Sequence, residues 1–95
     1  MGKKILLIVN PHAGKSAIIK KMPQIVENFS KNGYEVDVYY TKPGYKVTKT
    51  IREYDKDVDL IVCCGGDGTL NEVINAVMRL EKKPQVSFIP LRNDE

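Results

Sequence analysis

Apolar and polar positions alternate along this chain in two different rhythms. Ile5 to Val9 form a continuous apolar run, closed by Asn10-Pro11, which suits a strand covered on both faces. From Ser16 to Ser30 the apolar residues Ile18, Met22, Ile25, Val26 and Phe29 recur at helical spacing. Pro23 interrupts them, predicting a kink or a helix restarting with Pro23 in its first turn, and Asn32-Gly33 supplies a stop. Residues 34–40 set Val36 and Val38 between Glu35, Asp37 and Tyr39, the pattern of a strand with one wetter face near a sheet edge.

Beyond the turn-forming TKPG, Val47, Ile51 and Tyr54 mark a short helix. Residues 58–64 (VDLIVCC) are a second continuous apolar strand, and Leu70, Val73, Ile74, Val77 and Leu80 a full helical stripe. A fourth strand spans 85–91, with Pro84 just before it. The order βαβαβαβ predicts an α/β fold: an open parallel four-stranded sheet with helices on both faces. With the wetter strand at the edge, the strand order becomes 2-1-3-4. The direction of winding then reverses between the first and third strands, where such sheets bind ligands beyond the strands' carboxyl ends. Two loops lie there, NPHAGKS (10–16) and GGDGT (65–69).

Composition narrows the function classes. The 95 residues, 42% hydrophobic and 28% charged, allow one domain over 1–95 without internal repeat or linker. Fifteen basic against 12 acidic residues give a formal net charge of +3, spread along the chain, so no nucleic-acid partner is expected. Adjacent Cys63 and Cys64 should point to opposite faces of their strand as reduced core thiols, and no metal site is expected. The apolar run at the N-terminus is too short for a signal-peptide core or a membrane span, and a cytoplasmic location is expected.

Neither loop fits a standard nucleotide motif. Gly14-Lys15-Ser16 resembles the tail of a P-loop, but Val9 stands where its first glycine belongs. Backbone amides opening a helix beside Lys15 still favour an anion, against the plainer reading of a strand-to-helix turn with a solvated lysine. Gly66-Asp67-Gly68 begins like a dinucleotide fingerprint, but Asn71 occupies the place of its third glycine. Thr69 and Glu72 match a capping box and are expected to start the helix. Asp67 is the chemically informative residue. A carboxylate beside phosphate is repelled unless a cation or a proton transfer compensates it. Metal handling, orientation of an attacking hydroxyl and a self-capped Asx turn are all consistent with that position.

Together, NPHAGK (10–15), YYT (39–41) and GGDGTLNEV (65–73) resemble the diacylglycerol kinase catalytic domain family. Within it they resemble the soluble bacterial lipid kinases related to sphingosine and ceramide kinases, in register over residues 4–91. The resemblance implies ATP-dependent phosphorylation of a lipid hydroxyl, with Mg²⁺ carried by the nucleotide. By position, Asn10, Pro11, Ala13, Gly14 and Lys15 would form the first nucleotide loop, and Thr41 would contact nucleotide at the end of the second strand. Gly65, Gly66, Asp67, Gly68, Thr69, Leu70 and Asn71 would hold phosphates, with Asp67 as the catalytic carboxylate of the motif near the transferred phosphate, its role in metal handling or hydroxyl orientation left open.

The family pattern continues from IPL (89–91) into a third nucleotide loop and a second, lipid-receiving domain, whereas this sequence reads IPLRNDE. The expectation is therefore a nucleotide-binding part that is inactive as a kinase by itself, with residues 92–95 departing from the pattern. Self-association through surface left by the second domain is a further expectation. Two other readings stay open: an NAD-kinase-like fragment, sharing GGDGT but not NPHAGK, and a non-catalytic flavodoxin-like interaction module.

Overall fold

A computed structural model of the chain describes residues 3–11, 17–42, 46–54 and 57–90; of Ala17, Asp67 and Pro90 it describes the backbone. Residues 12–16, which contain Ala13, Gly14 and Lys15, and residues 91–95 lie outside the described residues. Four strands, β1 (Lys4–Val9), β2 (Glu35–Tyr40), β3 (Leu60–Gly65) and β4 (Gln85–Pro90), alternate with three helices, α1 (Ala17–Lys31), α2 (Val47–Glu53) and α3 (Asp67–Met78). All strand pairs are parallel and the sheet order is β2-β1-β3-β4. The wetter strand is indeed an edge, with Val38 and Tyr40 exposed.

The central strands are apolar throughout because both their faces are covered. Ile5, Leu7 and Val9 of β1, with Val62 and Cys64 of β3, pack under Ile18 and Met22 of α1. Leu6, Ile8, Ile61 and Cys63 face the other way, onto Val47 and Ile51 of α2 and Val73, Ala76 and Val77 of α3. The adjacent cysteines thus belong to opposite cores, and neither is in a disulfide. Across the sheet's edge, the Tyr54 hydroxyl after α2 donates to the Asp37 carboxylate on β2.

Helix α1 runs through Pro23 without restarting. Its apolar stripe continues on both sides of the proline, and burial of Ile18 and Met22 outweighs the lost amide. Asn32-Gly33 ends the helix as expected, by a Schellman arrangement. Tyr34 N–H donates to the Phe29 carbonyl (3.2 Å) and Gly33 N–H to that of Ser30 (3.1 Å). Gly33 has φ +88°, a conformation that strains residues with a Cβ. The Phe29 and Tyr34 rings meet edge-on at 5.8 Å, supplying the apolar contact typical of that motif. Among the described residues, no helix is long and apolar enough to cross a membrane.

Candidate functional site

Three segments meet where the carboxyl ends of the strands stop. The ladder continues one residue past β1 on both sides: Thr41 N–H donates to the Val9 carbonyl (2.8 Å) and Asn10 N–H to the Cys64 carbonyl (3.0 Å). Asn10 therefore lies between Thr41 on one flank and the β3 terminus on the other. Pro11 follows it, removing a donor where the chain leaves the sheet. The structure thus brings together Asn10, Thr41 and the glycine loop, as the reversal of winding predicts.

The glycines in that loop differ in what surrounds them. A Cβ at Gly65 would approach the Asn10 Cβ at 3.3 Å and the Thr69 Oγ1 at 3.5 Å, so Gly65 is wedged between the first loop and α3. Among the described residues, a Cβ at Gly66 or Gly68 would meet nothing within 4 Å. Gly66 has φ −94° and ψ −178°, extended backbone open to any residue. Neither packing among the described residues nor its backbone angles require a glycine there. What the missing side chain leaves is clear space over the start of α3.

That start differs from the capping-box expectation. Gly66, not Thr69, is the N-cap, Asp67 is the first helical residue, and no side chain caps the end. The Leu70 amide already reaches the Gly66 carbonyl (3.2 Å), which makes Thr69 the third residue of the first turn. Glu72 does not fold back on its own helix. Its carboxylate accepts the Val47 amide at the start of α2, at 3.3 Å. The amides of residues 67–69 are those that an α-helix leaves without internal acceptors, and they carry the positive end of its dipole. Such an end, without a side-chain cap and below open space, suits an anion.

Leu70 packs against the α2–α3 core, whereas Asn71 is exposed one residue further along. The thiols just before the loop are chemically quiet. Burial, reinforced by the neighbouring Cys64, pushes Cys63 up to about 12, and burial pushes Cys64 up to about 11. Both are neutral near pH 7 and neither serves as a nucleophile there. A cavity of about 210 Å³ bounded by Leu6, Ile51, Ile61 and Leu80 lies at the strands' amino ends, away from these loops. The strand termini and open amides, rather than cavity size, mark the site.

The family model for the diacylglycerol kinase catalytic domain matches residues 4–91. The chain belongs to that family. Among its relatives, the diacylglycerol kinase of Staphylococcus saprophyticus is 35% identical over 92 residues, covering 96% of this chain and 30% of the relative. That of Bacillus subtilis is 33% identical over 90 residues, covering 94% of this chain and 30% of the relative. A crystal structure of a diacylglycerol kinase from Bacillus anthracis superposes with a TM-score of 0.79 at 36% identity, over 93% of this chain and 32% of that one. The chain therefore spans about 30% of the length of these curated relatives. The NPHAGK step points to the lipid-kinase branch, and the match to diacylglycerol kinases favours that branch over the NAD-kinase-like reading.

Proposed function

We propose that this chain is the nucleotide-binding part of a cytoplasmic lipid kinase, which binds ATP in the cleft above β1 and β3. The observation that carries the proposal is the uncapped start of α3 under clear space at Gly66 and Gly68. A side chain at either glycine would intrude where phosphate oxygens approach the amides of residues 67–69. Gly65 keeps Asn10 and Thr69 close enough to border the same space, and Thr41 flanks it from β2. The residues fit a polyphosphate.

In the longer relatives' architecture, the phosphoryl acceptor is proposed to be a lipid hydroxyl of the diacylglycerol type. Phosphoryl transfer depends chiefly on positioning and on stabilising charge at the transferred group. The first-turn amides do both for the phosphates, and Lys15 is assigned a charge-neutralising role in the first loop. Asp67, the first residue of α3, is assigned the carboxylate function, because a residue at that position is close to whatever the open amides hold. Mg²⁺ would arrive on the nucleotide and offset the repulsion between the phosphates and Asp67. The chain by itself is proposed to bind nucleotide and to transfer phosphate poorly.

The test is a titration of ATP·Mg²⁺ followed through backbone amide resonances. The expected result is a saturable shift of residues 65–71 together with Asn10 and Thr41, and retention of binding in Asp67→Asn. A full-length kinase carrying Asp67→Asn should bind ATP but lose most of its turnover. The absence of any shift in residues 65–71 at millimolar nucleotide would overturn the proposal.

A further inference from the structure

We propose that the groove between α2 and α3 is a second anion site, separate from the nucleotide loops, for a small phosphate-bearing ligand. Lys46, the residue that precedes α2, and Lys49 and Arg52 within it succeed one another at three-residue spacing, and Arg79 joins them from the end of α3. Together with Glu72 and Asn75 they line a groove of about 700 Å³, within the range of small-molecule sites. Four cations against one carboxylate leave this groove with a net charge of +3. That equals the formal net charge of the whole chain, so the remainder of the molecule is balanced overall.

The cations are also uncommitted. Among the described residues the ion pairs are Lys31–Glu27 and Lys82–Asp57, and neither involves the four groove cations. The one acidic side chain in the groove, Glu72, accepts the Val47 amide and pairs with none of the four cations. Like charges gathered on one wall repel one another, and a bound polyanion relieves that repulsion.

The groove's dimensions select the ligand class. From Lys46 to Arg52 the helix rises about 9 Å, a length suited to a diphosphate or a phosphorylated headgroup and short for a nucleic-acid duplex. Two sources share this chemistry, a soluble phosphate compound and an anionic lipid headgroup. Arginine at two of the four positions favours phosphate, whose oxygens its planar fork can bind in pairs.

The experiment titrates inorganic pyrophosphate into the chain and follows the amides of residues 46–52 and 72–79. In parallel, sedimentation is measured with vesicles containing phosphatidylglycerol and with vesicles of phosphatidylcholine alone. The expected result is saturable binding to pyrophosphate or to the phosphatidylglycerol vesicles, which assigns the source as soluble or lipid respectively. Lys49→Glu combined with Arg79→Glu should weaken it by about tenfold or more, equivalent to about 1.4 kcal/mol. Lys49→Arg should preserve it and guard against a folding artefact. Gly66→Ser, in the nucleotide loop, should leave it unchanged, which separates this site from the ATP cleft. Binding to neither probe, equal binding by the charge-reversed protein, or loss in Gly66→Ser would overturn the proposal.

Discussion

The Glu72 carboxylate accepts the Val47 amide at 3.3 Å, joining the second turn of α3 to the first residue of α2. A seven-residue helix without a side-chain cap of its own gains an acceptor from its neighbour. Glu72→Ala should destabilise the fold by about 0.5–1.5 kcal/mol, and Glu72→Gln, which keeps an acceptor oxygen, by less. Urea unfolding of the two variants checks this, and nucleotide affinity should be unaffected in both.

Gly65 should be sensitive in function more than in stability. Its Cβ would press on Asn10 at 3.3 Å, a contact relieved by a shift of a few tenths of an ångström in the first loop. Gly65→Ala is expected to change stability by no more than about 1 kcal/mol in either direction. It should displace the Asn10 amide resonance and weaken ATP by several-fold, as measured by calorimetry.

Pro23 has no amide to give the carbonyl of Ile19, four residues earlier in α1. The side chain is exposed, so Pro23→Ala removes little packing and restores the missing donor. An increase in stability of about 1–3 kcal/mol is expected by denaturant unfolding. The increase should fall towards the lower figure because alanine also frees the unfolded chain.

The raised thiols make the fold sensitive to alkali. Below the unfolded thiol value of 9.0 both states hold their protons and the thiols contribute fully. Between 9.0 and about 11 the unfolded chain releases protons that the folded chain retains, so stability falls as pH rises. Each thiol contributes a slope of up to about 1.4 kcal/mol per pH unit, which levels off above the folded values. Unfolding of the native chain compared with Cys63→Ala/Cys64→Ala at about pH 8 and about pH 10 should show the steeper loss in the native chain.

Much of the architecture follows from periodicity because the two central strands are covered on both faces. Their runs, Ile5 to Val9 and Leu60 to Cys64, contain no charged residue to obscure them. The alternation of Val36 and Val38 with Glu35, Asp37 and Tyr39 marks β2 as an edge, and with it the sheet order and the end where the loops meet. What escaped the sequence depended on contacts between distant segments. Thr69 and Glu72 have capping-box spacing, but the Glu72 carboxylate goes to α2, 25 residues away, and α3 begins at Asp67. Local rules also put a break at Pro23, where burial on either side holds the helix together. The stripe of Lys46, Lys49 and Arg52 is visible as spacing, but Arg79 joins it only through the packing of α3 beside α2.

The central claim is that Gly66 is a glycine for the sake of a ligand. Its extended backbone accepts any residue and a Cβ there would meet none of the described residues within 4 Å, while serine is a favoured helix N-cap. Gly66→Ser should therefore hold or raise the melting temperature, as the hydroxyl takes over an amide in the first turn. The same hydroxyl and Cβ occupy the space assigned to phosphate, so ATP affinity measured by calorimetry should fall by about tenfold or more, about 1.4 kcal/mol. A protein that keeps both its fold and its wild-type affinity for ATP after Gly66→Ser would contradict the account.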